Sequence, residues 1–103
     1  MFIVLLTFAD NKHLAKEFMQ GHKNWIKKGF DDDAFLMVGS LKPATETEKG
    51  GGAIIAHNTS LQALQQRVNQ DPFVVENVVS AKIIEIAPNQ AHERLNFLLD
   101  LAA

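Results

Sequence analysis

Among the residues whose types could move a proton, two stand out by their positions, His22 and Asp71. Leu14, Phe18, Gly21, Trp25 and Ile26 recur at helical spacing, and His22 falls at the border of that stripe, where packing can hold a ring that still reaches a cleft. Imidazole titrates near neutral pH, which suits it to general acid–base work. Asp71 stands in Asn69-Gln70-Asp71-Pro72-Phe73, where a helix is expected to run out. A carboxylate at a helix C-terminus meets the negative pole of the macrodipole, an unfavourable term of roughly 0.3–1 kcal/mol, and calls for a donor such as histidine. Spacing alone leaves a plainer account open for each. A single border histidine can serve packing only, and Asp before Pro is a common way to stop a helix.

The remaining chemistry-bearing residues are weaker candidates. His13, His57 and His92 are too widely spaced for a local metal motif such as His-x-x-x-His. Asp31, Asp32 and Asp33 lack the alternating ligands and closing glutamate of a calcium loop, and read as a solvated turn. Lys49-Gly50-Gly51-Gly52 lacks the spacing and the hydroxyl of a phosphate loop, and reads as flexibility near a cleft. Ser40 follows Gly39 at the end of an apolar run. No histidine is placed in sequence to activate its hydroxyl, so substrate binding suits it better than nucleophilic attack. No metal site is expected.

The totals narrow the field further. The chain has 103 residues, 47% of them apolar, with a net charge of −2 and no cysteine. That is one globular domain without disulfides, thiolate zinc sites or a cysteine nucleophile. No basic cluster exceeds the short run at Ile26-Lys27-Lys28, which argues against a nucleic-acid or anionic-membrane partner. The N-terminal Met1–Asp10 lacks the basic flank and cleavage site of a signal peptide, and no apolar run reaches the ~18 residues of a membrane span. A cytoplasmic, bacterial-type protein is expected.

The elements that must position His22 and Asp71 follow from periodicity and punctuation. Phe2–Phe8 reads as a strand buried on both faces. Asp10 or Asn11 caps a first helix ending at Gly29. Ala34–Val38 and Ala53–Ala56 are strands, joined by the polar, glycine-rich Lys42–Gly51. Thr59-x-x-Gln62 is a capping-box pattern opening a second helix, which stops near Gln70 because the residue before proline avoids the α region. Val78–Ile86 is the last strand, and Gln90–Leu101 a C-terminal helix. The order is a ferredoxin-like βαββαβ of the α+β class, with an extra C-terminal helix. Two crossovers of this hand place both helices on one sheet face. The other face would then expose Ile3 and Leu5, and a second copy packed sheet to sheet is the simplest cover. An RNA-recognition motif, which has the same strand order, is excluded because the third strand offers Gly51, Ala53 and Ala56 where that motif stacks aromatics.

With His22, Trp25-Ile26, Gly29, the strand-ending Gly39 and Asp71-Pro72-Phe73 in this order, the chain resembles the YciI-like (YCII-related) family of dimeric α+β barrels. The resemblance covers residues 1–87 and leaves residues 88–103 as a helical tail that could support a higher oligomer. It implies that His22 and Asp71 meet as a His–Asp pair in a homodimer. Ser40, Gly39, Phe73 and Trp25 are expected to bind substrate, and no cofactor is expected. The resemblance further implies a lyase of the dehydrochlorinase kind, or an isomerase, acting on a small aromatic or enol-like compound. A non-catalytic module that holds a small ligand in the same cleft is the alternative. The chain departs from the family pattern at Met19, where an arginine is common, at Ser40, where a proline is common, and at Glu76-Asn77, where the family runs into a glycine. Asparagine tolerates the left-handed backbone, so that turn can survive.

Overall fold

The computed structural model describes residues 1–99. Its elements run β1 (Phe2–Phe8), a 3₁₀ turn (Lys12–Leu14), α1 (Ala15–Asp31), β2 (Phe35–Leu41), β3 (Gly51–Ala56), α2 (Leu61–Val68), α3 (Pro72–Val75), β4 (Val79–Glu85) and a second 3₁₀ segment (Glu93–Leu98). The four strands form one sheet in the order β2-β3-β1-β4, antiparallel throughout. This is the ferredoxin-like arrangement expected from the order of apolar runs, with the short α3 added before the last strand.

Register decides what each strand buries. Val4 pairs with Ile54 on one side and Ile83 on the other, so even-numbered positions of β1 share a face with the even positions of β3. Phe2, Val4, Leu6, Ile54, Ala56 and Val79 are buried there with Trp25, Leu64, Val68 and Phe73 from the helices. A single aliphatic side chain of this size contributes roughly 1.5–3 kcal/mol when fully buried, so this face is the core. The opposite face holds Ile3, Leu5, Ile55 and Ile84, all only partly buried, and Met37 at 59% exposure. Among the described residues nothing covers it. The expectation that β1 is buried on both faces therefore fails within a single chain: helices reach only one side.

Several boundaries move for identifiable reasons. α1 continues past Gly29 to Asp31, supported by Lys27–Asp31 at 2.6 Å and Lys28–Asp32 at 3.1 Å on its last turn. Gly29 is inside the helix rather than after it because the Phe35 ring packs where a Cβ would stand. Ser60, not Thr59, caps α2, accepting a bond from the Ala63 amide at 3.1 Å. Asn11 caps nothing with its side chain, which instead donates to the Glu76 carbonyl at 3.0 Å. β2 runs on to Leu41, so Gly39 and Ser40 are strand residues. β4 is shorter by one residue at each end than expected. The tail forms the short Glu93–Leu98 segment, broken at Leu95, instead of a helix over Gln90–Leu101. It turns back on its own chain, with Phe97 edge-on to the His57 ring, and Leu101 lies outside the described residues. Asn77 adopts φ 57°, the left-handed turn that asparagine tolerates.

Candidate active site

α2 ends at Val68, and the chain turns through Asn69 and Gln70 into Asp71. Asp71 is not the end of that helix. It is the N-cap of α3, extended at φ −62° and ψ 123°, with Pro72 in the first helical position and Oδ1 accepting from the Phe73 amide at 3.0 Å. Proline suits that position because its fixed φ is helical and its missing N–H is not needed there. A carboxylate cap is favourable, typically by about 1 kcal/mol over alanine. The expected conflict with a helix C-terminus is thereby removed: the charge serves the start of the next helical turn.

The same Oδ1 lies 2.8 Å from His22 Nδ1. α1 can bring His22 this close because its neighbour Gly21 faces Pro72, and a Cβ on Gly21 would stand only 3.1 Å from the proline ring. The Asp71 side chain is fully buried and that of His22 is 14% exposed. Asp71 Oδ2 is also buried and has no protein partner among the described residues. A buried carboxylate with one unsatisfied oxygen favours a proton donor at the other, so the ring carries its Nδ1 proton toward Asp71.

Two aromatic rings fix the imidazole plane. Phe73 stacks on it at 4.0 Å and 4°, and Trp25 lies 6.0 Å away at 23°. Trp25 is anchored in turn by its indole N–H, which donates to the Arg67 carbonyl at 2.9 Å. His22 Nε2 makes no protein hydrogen bond among the described residues and is not buried. It is the nitrogen left for a ligand.

His22 lines a cleft of about 350 Å³ between α1 and the sheet, together with Phe73, Gly39 and Ser40. The register explains the space. Ser40 is opposite Gly52, and Gly52 is opposite Leu6, so the middle of that row has no side chain to fill the room under α1. Of the residues expected to bind substrate, Gly39, Ser40 and Phe73 line the cleft, whereas Trp25 backs the His22 ring. Asp71 likewise stands behind His22 and does not line it. Lys23 and Leu6 also line the cleft and were not anticipated; Met19, at the position of the family's arginine, and Gly52, from the glycine run expected near a cleft, line it too. Gly52 was legible only as part of a flexible glycine run, yet it lies within β3. Lys23 could have been found from its position beside His22.

The other candidates separate cleanly. His57 has its Nε2 buried without a hydrogen bond, 3.6 Å from Asp33 Oδ1. His92 Nδ1 accepts from the Arg94 amide at 3.1 Å and so caps the second 3₁₀ segment. Asp32 bonds Lys28 and Arg67, and these two cations hold its carboxyl below the usual value of 3.8. Among the described residues no group of three or more His, Asp or Glu side chains is arranged to hold a metal ion, and no helix is long and apolar enough to cross a membrane.

Comparison with known proteins adds two findings. The YCII-related domain family matches residues 1–87. The solved structure of 5-chloro-2-hydroxyhydroquinone dehydrochlorinase (TftG) from Burkholderia phenoliruptrix AC1100, in complex with 2,5-dihydroxybenzoquinone, superposes with a TM-score of 0.64. The match covers 92% of this chain and 98% of that one at 11% identity, a level that establishes a shared fold. No curated protein matches the sequence significantly.

Proposed function

This chain belongs to the YCII-related domain family, and on that premise we propose that it is a small-molecule enzyme whose proton-transfer residue is His22, oriented by Asp71. The observation that carries this reading is a histidine held on one nitrogen by a buried carboxylate at 2.8 Å, its other nitrogen without a hydrogen bond among the described residues, on a ring that lines a cleft. A bare packing histidine has no need of such an arrangement.

The chemistry follows from the geometry. Asp71 accepts the Nδ1 proton, which leaves Nε2 as the basic atom on the cleft side. Nε2 takes a proton from the ligand, and the positive charge that develops on the ring lies against the Asp71 carboxylate. In an elimination the electron pair released by that proton expels a leaving group as an anion, and the ring later gives its proton to solvent. Returned to a different ligand atom, the same proton completes an isomerisation. The dehydrochlorinase that shares the fold makes a chlorinated, hydroxylated aromatic the first compound class to try.

Incubation with 5-chloro-2-hydroxyhydroquinone and related compounds, with chloride release as the readout, tests the reading. His22→Ala and Asp71→Asn should each lower turnover by about 10²–10⁴-fold, the usual worth of one positioned acid–base group. Full turnover in both variants would remove the pair from the mechanism. Saturable binding without turnover in the wild type would make the protein a ligand-holding module instead.

The uncovered sheet face supports a homodimer packed sheet to sheet. Ile3, Leu5, Ile55 and Ile84 are half-buried there and Met37 is exposed, a contiguous apolar patch of the kind that marks an interface. Sedimentation should give a dimer, and Ile3→Lys, which places a charge between Ile55 and Ile84 in the middle of that patch, should give a monomer that keeps its fold. A wild-type monomer would contradict the assembly.

A further inference from the structure

The cleft beside His22 is apolar apart from three polar side chains, His22, Lys23 and Ser40. None of the residues lining it is acidic. The nearest carboxylate, Asp71, is fully buried behind the His22 ring. Any ligand in this space meets a base, a cation and a hydroxyl, and no negative charge.

Lys23 lines the cleft and differs from Lys27 and Lys28, the two lysines that follow it on α1, in its helical neighbours. Lys27 and Lys28 each find an aspartate four residues on, at 2.6 Å and 3.1 Å. At three and four residues from Lys23 stand Met19, Gln20, Ile26 and Lys27, none acidic, so the pairing that a helix surface normally offers is withheld. Among the described residues Lys23 makes no ion pair and no hydrogen bond. The cation nearest in kind, Lys12, is engaged over the Phe8 ring at 4.7 Å. Among the described residues the Ser40 hydroxyl also has no hydrogen-bond partner. Its strand neighbour opposite is Gly52, which offers no side chain to it.

The shape of the site completes the picture. The His22 and Phe73 rings are parallel to within 4°, and the sheet beneath α1 is bare at Gly52. The two rings touch each other at 4.0 Å, and with Phe8 they give the cleft an aromatic lining, against which a flat, conjugated body stacks better than a tetrahedral or branched one.

We propose that the ligand is a small, planar, conjugated organic anion, a carboxylate or a delocalised oxyanion, and that Lys23 is the residue that selects for its charge. Ser40 supplies a hydrogen bond to the same anionic end, while His22 Nε2 works on the conjugated part. This rests on the reading of the cleft as the active site and adds the class of compound that enters it.

The test is a pair of probes of the same shape and different charge, 2,5-dihydroxybenzoate and 2,5-dihydroxybenzamide, titrated into the ¹⁵N-labelled protein. The carboxylate should bind about three- to tenfold more tightly than the amide, the span between an exposed ion pair and a charge-assisted hydrogen bond. Lys23→Met keeps the apolar stem and should erase that preference; Lys23→Arg should retain it. Raising the salt concentration should shrink it. Equal affinity of the two probes for the wild type, an undiminished preference in Lys23→Met, or no binding of the carboxylate at millimolar concentration each overturns the proposal. The outcomes also separate the two levels of the argument. Shifts centred on His22, Ser40 and Phe73 with no charge preference sink the Lys23 assignment and leave the His22–Asp71 site standing. Shifts centred elsewhere on the molecule sink both.

Discussion

The described residues include two histidine–aspartate pairs, His22–Asp71 and His57–Asp33, and they differ in burial and distance. His22 and His57 are equally shielded, each side chain 14% exposed. Their partners differ. Asp71 is fully buried and 2.8 Å from its ring, whereas Asp33 is 76% exposed and 3.6 Å away. The first contact is a hydrogen bond between a ring and a desolvated carboxylate. The second is beyond hydrogen-bond distance, with the aspartate in water, where the attraction is weak and screened. The free nitrogens differ as well. His22 keeps Nε2 unburied on a ring that lines a cleft, while His57 buries Nε2 without a hydrogen bond and packs edge-on against Phe97 of the tail. One pair combines a buried carboxylate with a ring that lines a cleft, and the other packs against the tail.

The largest expected difference lies in activity. Where His22→Ala costs about 10²–10⁴-fold in turnover of a true substrate, His57→Ala should change it by less than about twofold. Comparable losses in the two variants would mean that the tail region takes part in the chemistry. Stability should distinguish them by sign. His22→Leu strands the buried Asp71 carboxylate and should lower unfolding free energy by about 1–3 kcal/mol, read by denaturant midpoint. His57→Leu removes a buried, unpaired nitrogen and should leave stability unchanged or raised. Destabilisation by both to the same degree would indicate that His57 is satisfied in solution after all.

The smallest effect concerns Asp32, next to Asp33 in sequence. Its bonds to Lys28, then to Arg67, lower its carboxyl below the ordinary 3.8. A depressed folded-state value stabilises the protein above the unfolded value, and that contribution is lost as pH falls through the folded one. Asp32→Asn should therefore melt below the wild type near neutral pH, by a small margin because the group is solvent-exposed. The two should converge as the pH drops below 3.8. A gap that persisted in acid would assign the effect to packing of the side chain instead of its charge.

Much of this fold could be read from the chain because its elements are written in local patterns. The apolar run Phe2–Phe8, the stripe through Leu14, Phe18 and Trp25, and Pro72 as a helix barrier are features of a few adjacent residues. Each is set by burial and backbone sterics that act over one or two turns. What misled was equally local. Gly29 has the look of a helix end, but its lack of a side chain answers to Phe35, a contact made only once the helix has folded onto β2. Asp71 has the look of a charge at the wrong pole because α3 spans only Pro72–Val75, too short for any periodicity to announce.

By itself, then, the sequence determined the order of strands and helices, the absence of thiol chemistry, and the two residue types suited to proton transfer. The tertiary structure decided that His22 and Asp71, separated by 49 positions, touch at all, through the close approach of Gly21 to Pro72. It decided that Ser40 pairs with Gly52 in the sheet, and that both line one cleft with Lys23. The reason is physical. Local patterns arise from hydrogen bonding and burial within a segment, whereas a site arises where segments cross, and the spacing at a crossing is set by the side chains of both partners.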